Sequence, residues 1–408
     1  MRSVDEQLKR VLEIAVRPAP VRVAISDAQG LRSAEEVVAS RALPGFDQAA
    51  IDGYAVRSVD VAGNGEGPPD LPVVGEIPAG SRQPLRLQPG QAVKVSAGAP
   101  LPTLADAVLP AGFTDGGSAR LRVDRGVPSA AFVRRIGEDV QPGDVAVHRD
   151  TVIGAAQIAL LAAAGRDKVL VHPRPRLSVV SMGDELVDVS RAASAGHVPD
   201  VCSYAIAAAA REAGAEIPRP PRLVRSDARE LRSAVEDLLP FSELVVICGA
   251  AGGSSGAEAK AAFAGLGEVD ATRVAMSPGS SQAFGRLGRD SVPTFLFPSS
   301  PATALVLFEV LVRPLIRLGL GITEPHRRTV SARLTSPVSS PEGRRSYLRG
   351  RLLREVSSGD YLVQPLATGG THLLATLAEA NAMITVPEGA TDVTVDEQVD
   401  VALLSARR

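Results

Sequence analysis

Residues 43–57 read Leu43-Pro44-Gly45-Phe46-Asp47-Gln48-Ala49-Ala50-Ile51-Asp52-Gly53-Tyr54-Ala55-Val56-Arg57. Pro44 and Gly45 open the stretch with turn chemistry. Two carboxylates follow, Asp47 and Asp52, five residues apart. Gly53 behind Asp52 lets the backbone bend sharply and present the carboxylate at a loop tip. Tyr54, Ala55 and Val56 then read as a strand. Taken alone, such an Asp-Gly pair is an ordinary turn.

Downstream, short apolar runs alternate with Gly/Pro turns to about residue 139, with strands expected at 73–77, 92–95, 107–109 and 121–123. That pattern is a small all-β module. Upstream, residues 4–14 read as a helix, with Leu8, Val11, Leu12 and Ala15 at helical spacing. Pro18 and Pro20 end it. A strand is expected at 21–25, a turn at 27–30 and a short helix–strand passage at 31–40. Beyond the β-module a helix at 155–164 closes on Gly165.

From Leu177 onward buried strands alternate with helices. Strands are expected at 177–181 and 244–248, and helices at 203–213, at 227–239 behind an Asp227 N-cap, and at 302–318. This alternation means a doubly wound α/β sheet, whose ligands sit at the C-terminal strand ends. The turn at Gly183-Asp184-Glu185, the Gly-rich loop from Gly249 to Gly256 and the segment from Pro298 to Pro301 all lie at such ends. After about residue 327 the pattern returns to strands, giving a second β-domain.

Composition narrows the function. With 408 residues, more than one core is expected. The balance of 44 basic against 46 acidic residues leaves no electrostatic footprint for nucleic acid. Aromatic residues are 3% with no Trp, so base-stacking platforms are not expected. Cys202 and Cys248 have no metal-type spacing and read as reduced thiols. No apolar run has the length of a membrane span, and the N-terminus is amphipathic rather than signal-like. The expectation is a soluble, cytoplasmic protein that inserts in no membrane, any membrane link running through a partner.

The 43–57 stretch resembles the signature of the MoeA/gephyrin E-domain family, usually close to Pro-Pro-Phe-Asp-Asn-Ser-Ala-Met-Asp-Gly-Tyr-Ala. Ile77-Pro78-Ala79-Gly80, Gly98-Ala99-Pro100-Leu101-Pro102 and Gly137-Glu138-Asp139-Val140 look like further landmarks. The resemblance covers essentially the whole chain. It implies a multidomain α/β plus β protein: a discontinuous, elongated linker and dimerisation domain (1–44 and 140–172), an inserted β-rich domain (45–139), a MogA-like α/β domain (173–325) and a C-terminal β-barrel-like domain (326–408). Family members insert molybdenum into adenylylated molybdopterin. Asp52, Asp139, Asp184 and Glu185 stand where the family has its catalytic acids. Gly249, Gly252, Ser254, Pro298 and Pro301 stand in the cofactor-binding loops. Mg, molybdopterin and molybdate are the ligands implied if that activity persists.

Several positions depart from the family pattern. The usual Lys-Pro-Gly-Lys-Pro reads Ser277-Pro278-Gly279-Ser280-Ser281. Two lost cations beside a polyanionic substrate remove charge-assisted hydrogen bonds worth roughly 1.5–3 kcal/mol each. The phosphate loop lacks an acid near Ser255 or Ala257. Leu-Pro-Gly-Asn-Pro-Val-Ser reads Phe297-Pro298-Ser299-Ser300-Pro301-Ala302-Thr303, the threonine of Thr-Gly-Ala-Pro is Ala97, and an expected asparagine is Cys202.

Two functions follow as expectations. The first is a gephyrin-like homodimeric scaffold that has lost insertion chemistry, needs no cofactor and binds a disordered peptide. Its groove would use Leu8, Pro387 and Val393, its partner would be the C-terminal tail of the tubulin-like FtsZ, and it would be recruited to the division site. The second is the ancestral enzyme, a molybdopterin molybdenumtransferase.

Overall fold

The computed structural model describes residues 1–62, 68–82, 85–356, 359–366 and 374–404. Helix α1 (Val4–Leu12) starts at Ser3, whose hydroxyl accepts the Glu6 amide. This satisfies a donor that every helix start leaves orphaned. Its buried residues are Val4, Gln7 and Val11, one face of the helix. Gln7 accepts from Arg2 Nη1 at 2.7 Å and donates to Gln282 at 3.5 Å, so its amide is buried with partners. Leu8 is half-buried against the same core.

The chain divides into two compact units, Val21–Val171 and Met1–Pro20 with His172–Arg408. Residues 1–20 therefore part from 21–44 and pack with the later α/β core, because Val4 and Val11 bury their side chains there.

In the unit Val21–Val171, strand β1 (Val21–Ala24) pairs antiparallel with β7 (Lys168–His172), register running from Val21 opposite Val171 to Ala24 opposite Lys168. The expected helix–strand passage at 31–40 is two short strands, Arg32–Ser33 and Val37–Val38, with no helix. Pairing with Val145 and Val147 outweighs the local helical pattern. The inserted module is a five-stranded sheet of β2 (Gly53–Val56), β3 (Asp70–Ile77), β4 (Ala92–Val95), β5 (Ala107–Pro110) and β6 (Arg120–Arg122), in the order β5-β2-β4-β3-β6. Apolar clusters cover both of its faces, one around Tyr54, Leu109 and Leu121, the other around Ala55, Val93 and Val108. Helix α2 (Ala155–Ala163) follows, and Gly165 beyond it takes φ +76°.

In the other unit a six-stranded sheet runs β9-β8-β10-β13-β12-β11. Its strands are β8 (Leu177–Met182), β9 (Arg222–Val224), β10 (Leu244–Cys248), β11 (Gly267–Asp270), β12 (Ala283–Leu287) and β13 (Val292–Phe297). Strands β9, β8, β10 and β13 are parallel; β12 and β11 extend the sheet antiparallel. Helices α3 (Cys202–Ala213), α6 (Pro301–Leu307) and α7 (Arg313–Gly319) bury one face; α4 (Ala228–Leu238) and α5 (Gly253–Ala262) bury the other. Asp227 caps α4, accepting the Arg229 and Glu230 amides. The C-terminal strands β14 (Thr329–Leu334), β15 (Arg345–Arg354), β16 (Tyr361–Pro365), β17 (Ala382–Val386) and β18 (Gln398–Leu403) close into a five-stranded barrel, with β15 pairing both β16 and β17. Residues 276 and 277 pair with Arg345 and Ser346 at the start of β15. Among the described residues no helix is long and apolar enough to cross a membrane.

Asp270 anchors α1 to the sheet, taking Arg2 Nη2 and Arg10 Nη1 at 2.8 Å each. Burial alone would raise its carboxyl, but hydrogen bonds from Thr272 and Arg2 outweigh it and bring the pKa down to about 2. A folded-state pKa below the unfolded value means stability that is present above about pH 4 and fades as pH falls towards 2. Asp270→Asn should lower the urea midpoint at pH 7 and flatten its decline between about pH 4 and 2. An unchanged midpoint and slope would show that these ion pairs do not hold the helix.

Candidate functional site

Gly53 is needed for a different reason than a sharp turn. A Cβ there would sit 2.2 Å from the Leu109 carbonyl oxygen, so strands β2 and β5 approach too closely for any side chain. Asp52 stays exposed beside it, and Asp52 Oδ1 accepts the Ala97 N–H at 2.8 Å. The carboxylate is thus tied to the 97–100 turn, where Gly98 takes φ +79°. Asp47 is a fastener instead. The Ile136 amide at 2.8 Å and the Arg135 guanidinium at 2.6 Å hold its carboxyl below the usual range despite partial burial. Asp139 is exposed, with its amide on the Leu43 carbonyl at 3.0 Å. It lines a cavity of about 530 Å³ with Leu43, Pro44, Gln48, Arg134 and Glu138, a lining that does not include Asp52.

In the α/β unit, a second pocket of about 330 Å³ opens at the C-terminal ends of β8 and β10. Of the residues expected there, Glu185, Gly249 and Pro301 line it. The Glu185 carboxylate folds over Gly183, where a Cβ would meet it at 2.8 Å. Asp184 is exposed and accepts the Ser226 amide at 3.1 Å, the work of a turn cap. Helix α5 begins at Gly253, inside the Gly-rich loop, so Gly252 is its N-cap at φ +88° and Ser254 lies exposed in its first turn. Pro301 opens α6 behind Ser300, and Pro298 is half-buried outside this lining.

Three residues of the pocket went unread as site residues. Asp200 is buried and accepts from Ser181 Oγ at 2.9 Å, Ser203 Oγ at 2.5 Å and the Ser203 amide at 3.2 Å. An Asp just ahead of a helical run is the signal that could have found it. Cys202 and Cys248 line the same pocket.

Ser277 lines a third cavity, of about 310 Å³, with Ser346, Tyr347 and Arg349 of strand β15. Arg349 Nη2 donates to the Ala302 carbonyl at 3.1 Å, and its Nε is buried with no hydrogen-bond partner. Burial lowers its pKa, and a guanidinium stays charged regardless. Among the described residues no carboxylate pairs with it. Arg349 is half-buried, and a cation partly withdrawn from water without an acid gains from an anion that joins it. A single Arg in a strand carries no motif, which is why the sequence did not single it out.

The remaining expected residues, Leu8, Pro387 and Val393, would meet in a groove only across a dimer, and in the single chain each is placed separately. Val393 is in the barrel core at 6% exposure, because the alternation of strand 392–393 turns it inward. Pro387 is exposed in a turn, and Leu8 packs on the α/β core. Among the described residues no three His, Cys, Asp or Glu side chains gather to hold a metal ion, so a Mg ion finds no such donor set within them.

Comparison with known proteins covers nearly the whole chain. Residues 2–165 match the MoeA N-terminal region (domain I and II), residues 178–318 a probable molybdopterin binding domain, and residues 331–404 the MoeA C-terminal region (domain IV). The chain is 58% identical over 424 aligned positions to molybdopterin molybdenumtransferase 1 of Mycobacterium tuberculosis, covering 99% of each. It is 34% identical to molybdopterin molybdenumtransferase 2 of the same organism, covering 98% of this chain and 99% of that one. The solved structure of the molybdopterin biosynthesis MoeA protein from Pyrococcus horikoshii superposes with a TM-score of 0.79 at 29% identity, over 99% of both chains.

Gly249 sets the pocket floor, with φ +83° and the Met182 carbonyl oxygen 2.1 Å from where a Cβ would be. Gly249→Ala should therefore destabilise the protein by more than about 1 kcal/mol. Urea denaturation measures it; a shift within error would mean that the loop relaxes freely.

Proposed function

This chain belongs to the MoeA family, and we propose that it is a molybdopterin molybdenumtransferase, inserting molybdenum from molybdate into adenylylated molybdopterin. The expectation of a scaffold without insertion chemistry, docked on the FtsZ tail, does not stand. A relative with 58% identity along its full length is named for the enzyme activity. The physical grounds for expecting loss were the missing lysine pair at Ser277 and Ser280 and the missing acid in the loop 254–257. A cation is nevertheless present beside Ser277, supplied by the barrel.

The observation that carries the proposal is Arg349 beside Ser277, a half-buried guanidinium with its Nε unpartnered and no carboxylate pairing with it among the described residues. A phosphate or molybdate oxygen would complete it, and a guanidinium fork suits such oxygens. The amides of the first turn of α5 offer further donors to an anion. Glu185 on the neighbouring pocket wall can accept a proton or hold a substrate hydroxyl. Asp52 and Asp139 are exposed carboxylates of the other unit with the same chemistry available. The proposal keeps the homodimer expected of the family; light scattering that finds a monomer would remove that part.

The test is molybdenum insertion by the purified full chain, supplied with adenylylated molybdopterin and molybdate. Turnover is expected. Arg349→Ala should lower kcat/KM by about 10- to 100-fold, the loss of one charge-assisted hydrogen bond of roughly 1.5–3 kcal/mol. Arg349→Lys should recover part of it. No insertion by the unaltered chain overturns the proposal.

A further inference from the structure

The chain has two cysteines in 408 residues, and the fold brings both to one pocket. Cys248 is the last residue of β10 and Cys202 the first of α3. Register places Cys248 between Ser181 of β8 and Phe297 of β13, at the centre of the parallel sheet. The two thiols belong to one buried core and line the same pocket. Cys202 Sγ also lies 3.2 Å from the Ser299 carbonyl, tying α3 to the segment ahead of α6. The contact with Cys202, and then burial, push the Cys248 thiol well up, so it stays protonated. Cys202 is the more accessible, at 6% exposure against 1%.

We propose that Cys202 and Cys248 form a reversible disulfide that responds to hydroperoxide and resets the pocket wall. The Cys202 sulfur attacks the peroxide O–O bond and becomes a sulfenic acid; its thiol proton leaves with the departing hydroxide as water. The Cys248 sulfur then attacks the Cys202 sulfur, the S–O bond breaks, and a second water leaves with the Cys248 proton. Two thiols and one hydrogen peroxide give one disulfide and two waters. A dithiol reverses it by exchange through a mixed disulfide. Without its S–H, Cys202 no longer donates to the Ser299 carbonyl, so the 298–301 segment loses that tie. Any effect on turnover rests on the function proposed above, whereas the two readouts below do not.

The full chain is treated with hydrogen peroxide and analysed by intact mass, peptide mapping and hydrogen exchange. The expected result is a mass lower by two hydrogens, a linked peptide containing both cysteines, faster exchange at 299–303, and reversal of all three by dithiothreitol. Cys248→Ser should stop at a sulfenic acid on Cys202 that dimedone traps; Cys202→Ser should give neither sulfenic acid nor link. The switch is overturned if both thiols remain alkylatable at peroxide doses that oxidise a free cysteine peptide. It is also overturned if Cys202 runs on to sulfinic acid unlinked, or if the disulfide forms and exchange at 299–303 is unchanged.

Discussion

A close backbone approach in the α/β unit sits at its site. Strands β8 and β10 run in parallel register to Ser181 opposite Cys248, and one residue later Gly249 lies on the Met182 carbonyl. No side chain fits there, and φ +83° then turns the loop away from the strand. The Ala250 amide reaches the Phe297 carbonyl at 3.0 Å, which fastens the end of β13 to the same point. Three strand ends are thereby held together, and the pocket is the space that their diverging loops leave. Asp200 secures the side wall by accepting from Ser203 in the first turn of α3 and from Ser181 at once. The pocket is built from backbone geometry first and from functional side chains second.

The barrel belongs to this construction. Residues 276 and 277 pair with the first residues of β15, so the loop that carries Ser277 is fixed against the strand that carries Arg349. Arg349 in turn donates to Ala302 in the first turn of α6. One strand of the barrel therefore touches two of the loops that shape the site. Truncating the chain after the α/β domain would remove a cation from the site along with the barrel.

Sequence reading succeeded where local chemistry and tertiary packing agree. The strands 92–95 and 244–248 and the Asp227 cap were legible from periodicity and turn residues. It failed where a distant partner decides. The Gly-rich loop hides the first turn of α5, since glycine is a poor helix former and burial of Ala259 and Ala262 supplies what propensity lacks. Gln7 on the buried face of α1 breaks the apolar pattern and is satisfied by Arg2 and Gln282. Gly53 suggested a bend, and the close neighbour is a carbonyl more than fifty residues away in sequence. Two cysteines without a motif line one pocket because a strand end and a helix start converge on it.

The reading of lost function failed for a related reason. A motif records charge at fixed positions, whereas an anion responds to charge in space. Ser277 removes a cation from one loop, and Arg349 places another at the same cavity from a different domain. The exchange is not neutral in geometry. A lysine is a compact, strongly hydrated point charge on a flexible stem, while an arginine presents a planar fork that is never deprotonated. With one fork nitrogen already on the Ala302 carbonyl, Arg349 approaches the cavity in a fixed orientation. An anion held there is held by direction as well as by charge, so the site trades the reach of a lysine pair for the alignment of a single guanidinium.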